Sequence, residues 1–137
     1  MVENQAALNL VLPGVEFKTL SYPISPPRPR TKARIANRFM CCREGGQKFN
    51  TGIADLNQLS AYFLEKSRDN FAAVKEVIDR NQEARGWLIF ATHDVSDNPT
   101  PYGCRPEFFR AVVEYTVNSG AETAVVSRAL EILKDRQ

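Results

Sequence analysis

His93 is the only histidine of this chain. It closes the apolar run Trp87-Leu88-Ile89-Phe90-Ala91-Thr92 and is followed by the polar stretch Asp94-Val95-Ser96-Asp97-Asn98-Pro99. That pattern reads as a buried strand delivering an imidazole to the start of a loop. In α/β proteins the loops after strand C-termini are where sites are built. An imidazole titrates near neutral pH and suits general acid work. Asp94 is placed to orient it or to bind elsewhere, and both Asp94 and Asp97 also fit as turn residues. A lone histidine is as readily structural or superficial as catalytic. One histidine also cannot be both the acid and a member of a two-histidine metal site.

Other chemistries find less support. Cys41, Cys42 and Cys104 are three cysteines, two of them adjacent, which is no disulfide framework. No C-x-x-C spacing occurs, so a thiolate zinc site is not indicated. Cys104 lies close to His93 in sequence and admits a cysteine–histidine pair, although a small buried thiol explains it as well. Neither G-x-G-x-x-G, the P-loop, nor G-x-S-x-G is present.

Local signals mark the elements that would position His93. Residues from Glu3 to Leu12 suit a short helix stopped by Pro13-Gly14. Val15 to Tyr22 alternates in part and suits a strand. Pro23 to Pro29 is a proline-rich loop. Thr31 is a candidate N-cap for a helix carrying Ile35, Phe39 and Met40 on one side, and Gly45-Gly46 breaks the chain. Leu59 to Leu64 suits a strand. Asn70 or Asp69 caps a helix with Phe71, Val74, Val77 and Ile78 at helical spacing, and Glu76 can pair with Arg80. Trp87 to Thr92 is a strand covered on both faces. Pro106 opens a helix whose buried stripe is Phe109, Val112, Val113, Thr116 and Val117, with Gly120 after its end. Thr123 to Val126 suits a strand, and Ser127 caps a last helix with Leu130, Ile132 and Leu133. Strand and helix alternate as in βαβ units with a parallel sheet. We read residues 1–137 as a single domain of α/β class.

Composition agrees. The chain has 137 residues, 43% hydrophobic and 25% charged, as in soluble globular domains that bury a core without staples. No signal peptide or membrane-spanning stretch is evident, and free thiols suit a reducing, cytoplasmic compartment. The net charge is +2. Basic residues gather in Lys18, Arg28, Arg30, Lys32, Arg34, Arg38, Arg43 and Lys48, with Glu44 the only acid between Phe17 and Lys48. Such a patch could meet phosphates. No aromatic residues interleave with it as a stacking platform would require, which disfavours nucleic acid as a partner.

The stretch Gly86-Trp87-Leu88-Ile89-Phe90-Ala91-Thr92-His93-Asp94-Val95 resembles the last motif of the polysaccharide deacetylase family. So do Pro101-Tyr102-Gly103-Cys104, the helix after them, and Ser119-Gly120-Ala121 leading to Arg128-Ala129-Leu130. Upstream, Leu12-Pro13-Gly14-Val15 leading to Leu20-Ser21-Tyr22-Pro23 looks like the family's strand with its aromatic-proline motif. The resemblance runs from about Asn4 to Leu133. It implies a partial (β/α) barrel corresponding to the C-terminal half of a deacetylase. It also implies hydrolysis of N-acetyl groups on sugars with a divalent metal, often zinc. His93 would be the general acid, Tyr22 and Pro23 would line the substrate groove, Trp87 would pack beneath the site, and Asp94 would contact substrate.

The family's paired-aspartate motif and its two-histidine motif do not occur here, and Ile24 and Ser25 replace the residues that often come after the proline. No metal ligand is therefore assigned, and zinc is expected only if a missing N-terminal half is supplied. General acid help alone contributes about 100- to 10,000-fold, short of typical enzymatic accelerations of roughly a million-fold or more. The leading expectation is a deacetylase-like half barrel, inactive alone, with carbohydrate as the associated ligand. The alternatives are a non-catalytic self-associating α/β module and a small basic nucleic-acid-binding protein. Half a barrel would leave two sheet edges unpaired and its inner face open, which favours a homo-oligomer or a complementing half as partner and no membrane.

Overall fold

The structure, a computed structural model, describes residues 2–23, 26–68 and 70–135. Helix α1 (Val2–Val11) leads to β1 (Thr19–Ser21), α2 (Pro29–Ile35), β2 (Cys41–Gly45) and β3 (Leu59–Phe63). Next come a 3₁₀ turn (Leu64–Ser67), α3 (Phe71–Glu83), β4 (Phe90–Ala91), α4 (Pro106–Asn118) and α5 (Val126–Asp135). The four strands form one sheet in the order β1-β2-β3-β4, every pair parallel. Strand order equal to chain order, without reversal, is the winding of a (β/α) barrel rather than of a doubly wound sheet. The fold is thus a mixed α/β half barrel.

Side-chain alternation sorts the core into two faces. On one face Tyr62, Leu64, Val74, Ile78, Cys104 and Val112 pack together beneath α3 and α4. Tyr22, Ile35 and Cys42 continue that face beneath α2. On the other face Cys41, Leu59, Ala61, Ile89 and Ala91 meet Leu130 of α5, with Val126 alongside. The helices that connect strands therefore share one face. The face a barrel would enclose is covered by the C-terminal helix, where the sequence predicts an open inner face. An amphipathic α5 must bury its apolar side somewhere, and the uncovered sheet face is nearest.

Several local expectations hold. Asn70 caps α3, its side chain accepting from the Ala73 amide, while Asp69 lies outside the described residues. Pro106 opens α4, Gly120 has a φ of +78°, and Glu76 pairs with Arg80 at 3.6 Å.

Others need correction. The second helix opens at Pro29 with Arg28, not Thr31, at the cap position; the proline presets φ and needs no amide partner. Phe39 and Met40 lie beyond that helix, and the chain becomes β2 at Cys41. Adjacent cysteines behave as small buried hydrophobes there, both essentially inaccessible between β1 and β3. Within Val15 to Tyr22 only Thr19–Ser21 joins the ladder, because the Gln5 side chain of α1 takes up the Val15 carbonyl and the Phe17 amide. Residues 121–125 form no strand and α5 starts at Val126, ahead of Ser127. That segment carries the chain from the α4 face of the sheet to the opposite face, so it cannot run along a strand edge.

The run Trp87 to Thr92 is covered on both faces as expected, with Trp87, Ile89 and Ala91 on one side and Leu88 and Phe90 on the other. Its regular ladder is limited to Phe90–Ala91. At its start the Asn50 side chain fills the gap between β3 and the incoming chain. Its amide donates to the Ser60 carbonyl at 2.9 Å and the Trp87 carbonyl at 3.0 Å, and its oxygen accepts from the Ser60 amide at 2.8 Å. The Asn50 and Trp87 backbones exchange two further bonds. At the other end of β3 the Gln47 side chain serves the Phe63 amide and carbonyl in the same way. Gly86 lets Asn50 approach: a Cβ there would lie 2.9 Å from the Asn50 carbonyl and 2.8 Å from the Phe49 ring.

Replacing Asn50 by Ala strands the Ser60 amide and carbonyl. It is expected to cost about 2–3 kcal/mol, against about 1 kcal/mol for Gln47→Ala, whose bonds are solvent-exposed. Urea titration of both variants checks the ranking; an Asn50→Ala chain as stable as the parent would remove this role.

Candidate functional site

The exit of β4 is built by one closed loop. His93 stands two residues after Ala91 and is exposed. Its backbone amide donates to the Tyr102 carbonyl at 3.2 Å, and its ring lies 5.3 Å from the Tyr102 ring at 38°. Asp94 organises the loop beyond it. Its carbonyl accepts from the Cys104 amide at 3.0 Å, and the Ser96 amide donates to the Cys104 carbonyl at 3.2 Å. The Asp94 carboxylate accepts from the Thr100 amide at 3.0 Å, the Thr100 hydroxyl and, more weakly, the Ser96 hydroxyl at 3.4 Å. Gly103 permits the closure, since a Cβ there would fall 2.7 Å from the Asp94 carbonyl oxygen. The Thr100 bonds hold the Asp94 carboxyl below its ordinary value, with His93 a lesser contributor.

Asp94 thus acts as a loop fastener. The structure brings His93 and Asp94 together by sequence adjacency, and the Asp94 carboxylate bonds Thr100 and Ser96. Asp97 sits at the wall of an adjoining cleft of about 750 Å³ together with Arg68, Asn98, Pro99, Arg105, Glu107 and Phe108. Arg105 and Glu107 carried no strong sequence signal beyond flanking the Pro106 helix start. Their role as cleft walls depends on the loop folding back toward α4.

Tyr22, Pro23 and Trp87 lie elsewhere. Tyr22 is 6% exposed beneath α2, on the face opposite α5, and its hydroxyl donates to the Asn57 carbonyl at 2.9 Å. Burial, with Cys42 and Asp55 nearby, pushes its phenol up to about 12. Pro23 comes next in the chain and is exposed. Their strand, β1, is separated from β4 by β2 and β3, roughly 14 Å across at ordinary strand spacing. Trp87 packs on the α5 face, six residues before His93 and so roughly 20 Å away along an extended chain.

The cysteines are not gathered in one place. Cys41, Cys42 and Cys104 are buried in three different apolar clusters, and burial raises the Cys41 and Cys42 thiols. Among the described residues no three His, Cys, Asp or Glu side chains come together. Cys104 is a buried thiol that receives the Thr92 hydroxyl at 3.8 Å. Within the basic stretch Lys32 pairs with Asp55, Lys18 approaches Glu131 at 3.7 Å, and Arg43 is a strand residue. No described helix is long and apolar enough to cross a membrane. Comparison with protein-family models, curated proteins and solved structures finds no match to this chain.

Asp94 and Tyr22 each confer a pH dependence. Asp94 has a lowered carboxyl, so its stabilising effect is complete above the ordinary carboxylate value near pH 4. It fades as pH falls through the lower folded value. Asp94→Asn should flatten acid-induced loosening of residues 94–104, read by exchange of the Thr100 amide; an unchanged profile would contradict the fastener role. Tyr22 has a raised phenol, so its contribution is intact below about pH 10 and is lost as pH rises through about 12. Ultraviolet titration should show a late tyrosinate component that shrinks by one tyrosine in Tyr22→Phe, the Asp79 bonds raising Tyr115 as well; a late component unchanged by Tyr22→Phe would contradict it.

Proposed function

We propose that this chain is a polysaccharide deacetylase-like half barrel. In this reading it bears the general acid of carbohydrate N-deacetylation and is inactive by itself. One observation carries the reading: an exposed imidazole stands at the exit of the last strand of a singly wound parallel sheet. Such exits are where barrel enzymes place catalytic groups. The adjoining cleft supports a hydroxylated ligand, since Arg105, Glu107, Asp97 and Asn98 offer donors and acceptors beside the ring of Phe108. In the assembled enzyme His93 would protonate the departing amine. Ligands for a divalent metal, with the activated water they provide, would come from residues other than those described, in a complementing polypeptide segment. A reducing cytoplasm suits a chain with free thiols.

A second reading is favoured by α5. Because Leu130 and Val126 already seal the inner face, a complementing half would have to displace that helix. A self-associating α/β module needs no displacement. It has apolar surface to offer: Val2, Leu10 and Val11 of α1 are exposed, as are Phe109, Val113 and Val117 along α4, where the sequence predicts a buried stripe and only Val112 is buried. Aligned apolar residues of this kind mark association sites.

The two readings separate in one pair of measurements. With zinc or cobalt added, the purified chain should release no acetate from an N-acetylated oligosaccharide above buffer. Addition of a segment carrying paired aspartates and histidines should give turnover that His93→Ala lowers by about 100-fold or more. Metal-dependent turnover by the chain alone would overturn the incomplete-site reading. A dimer by light scattering that Val113→Glu dissociates, with no gain of activity on complementation, would leave the module reading standing.

A further inference from the structure

The inner face of the sheet holds a second polar feature, away from the β4 loop. A pocket of about 170 Å³ lies between β1 and β2, lined by Thr19, Leu20, Ser21, Cys41, Arg43 and Val126. Register explains the grouping. Thr19 pairs with Cys41 and Ser21 with Arg43, so these four side chains share one face of the sheet, and Val126 at the start of α5 closes the pocket from above.

Arg43 is the anomaly. It is only partly accessible, and burial lowers its pKa with no acidic neighbour contributing. Among the described residues its guanidinium has no ion pair or hydrogen bond, and the hydroxyls of Thr19 and Ser21 have none either. No acidic side chain lines the pocket. The guanidinium is half-buried and still reaches solvent, and its planar fork of donors has no protein acceptor to satisfy it among the described residues. A site with this composition gains when an anion enters.

We propose that this pocket binds one small tetrahedral oxyanion, inorganic phosphate or the phosphate group of a larger molecule, on the Arg43 guanidinium with the Thr19 and Ser21 hydroxyls. The guanidinium fork bonds two oxygens at once and the hydroxyls supply further donors. The pocket is small, about 170 Å³, and takes one such group. A larger phosphorylated molecule would keep its body outside, past the exposed Ser21. The Cys41 thiol, raised by burial, stays protonated and does not repel the anion. The start of α5 adds the positive end of a helix dipole. Neither His93 nor a metal takes part, so the pocket stands independently of the deacetylase reading.

Calorimetric titration of the full chain with sodium phosphate, at ionic strength held constant with sodium chloride, tests it. Sulfate, acetate and a sugar phosphate serve as further arms. Saturable one-to-one binding of phosphate and sulfate is expected, with acetate weaker. Arg43→Gln should weaken phosphate by about tenfold or more and Ser21→Ala by less. Arg43→Lys should recover part of the affinity, and circular dichroism should show all three variants folded. A sugar phosphate binding no more tightly than phosphate would assign the site to the free ion; tighter binding would assign it to the larger molecule. No saturable binding by the parent chain overturns the proposal. So does phosphate affinity that survives Arg43→Gln but is lost in Arg30→Gln/Arg34→Gln, which would place the anion on the outer surface of α2.

Discussion

The passage from β3 to β4 depends on one side-chain amide. Asn50 fills the place of a missing strand residue between Ser60 and Trp87, bonding the backbone of both. A buried peptide edge must find partners, and here a primary amide presents the same donor and acceptor as a peptide. Gly86 makes the approach possible by having no side chain. With this stitch in place, Tyr62 and Phe63 meet Phe90 and Ala91 in parallel register, and His93 emerges at the sheet's exit. Gln47 performs the matching service at the far end of β3. A loop of polar residues thereby completes two ladders that the strands leave short.

The sheet so formed has two faces with different coverings. The connecting helices lie on one, as single winding requires. The other is covered by α5, whose Leu130 joins a core of small strand residues. Cys41, Ala61 and Ala91 are small enough to let a helix lie close across them. The same helix leaves a pocket at its start that the half-buried Arg43 lines. Covering the inner face with a helix thus stabilises the half barrel and creates a feature of unbalanced charge on that face.

The β4 loop shows how a polar segment can be rigid without a core beneath it. Asp94 ties its own carbonyl to Cys104 and its carboxylate to Thr100. Asp97, Asn98 and Pro99 form a wall of the neighbouring cleft, while the His93 imidazole remains accessible against Tyr102. Proximity in sequence thus need not mean a shared catalytic role, since the aspartate beside the histidine is engaged in holding the loop.

Local chemistry was legible in the sequence. The Asn70 cap, the Pro106 start, the stripe of α3 and the two-sided run from Trp87 to Ala91 are each set within a turn or a few residues. Their signals therefore sit side by side in the chain. Strand β2 was not legible, because Cys41-Cys42-Arg43-Glu44 lacks the β-branched and aromatic residues that mark a strand and becomes one only by lying between β1 and β3. Nor was the separation of Tyr22 and Trp87 from His93, which strand order and face decide. The partner that fixes the entry to β4 lies 37 residues from Trp87, and the helix that covers the inner face comes last in the described chain. Such choices are settled by which surfaces remain free once the other elements have packed, and only the tertiary structure carries that information.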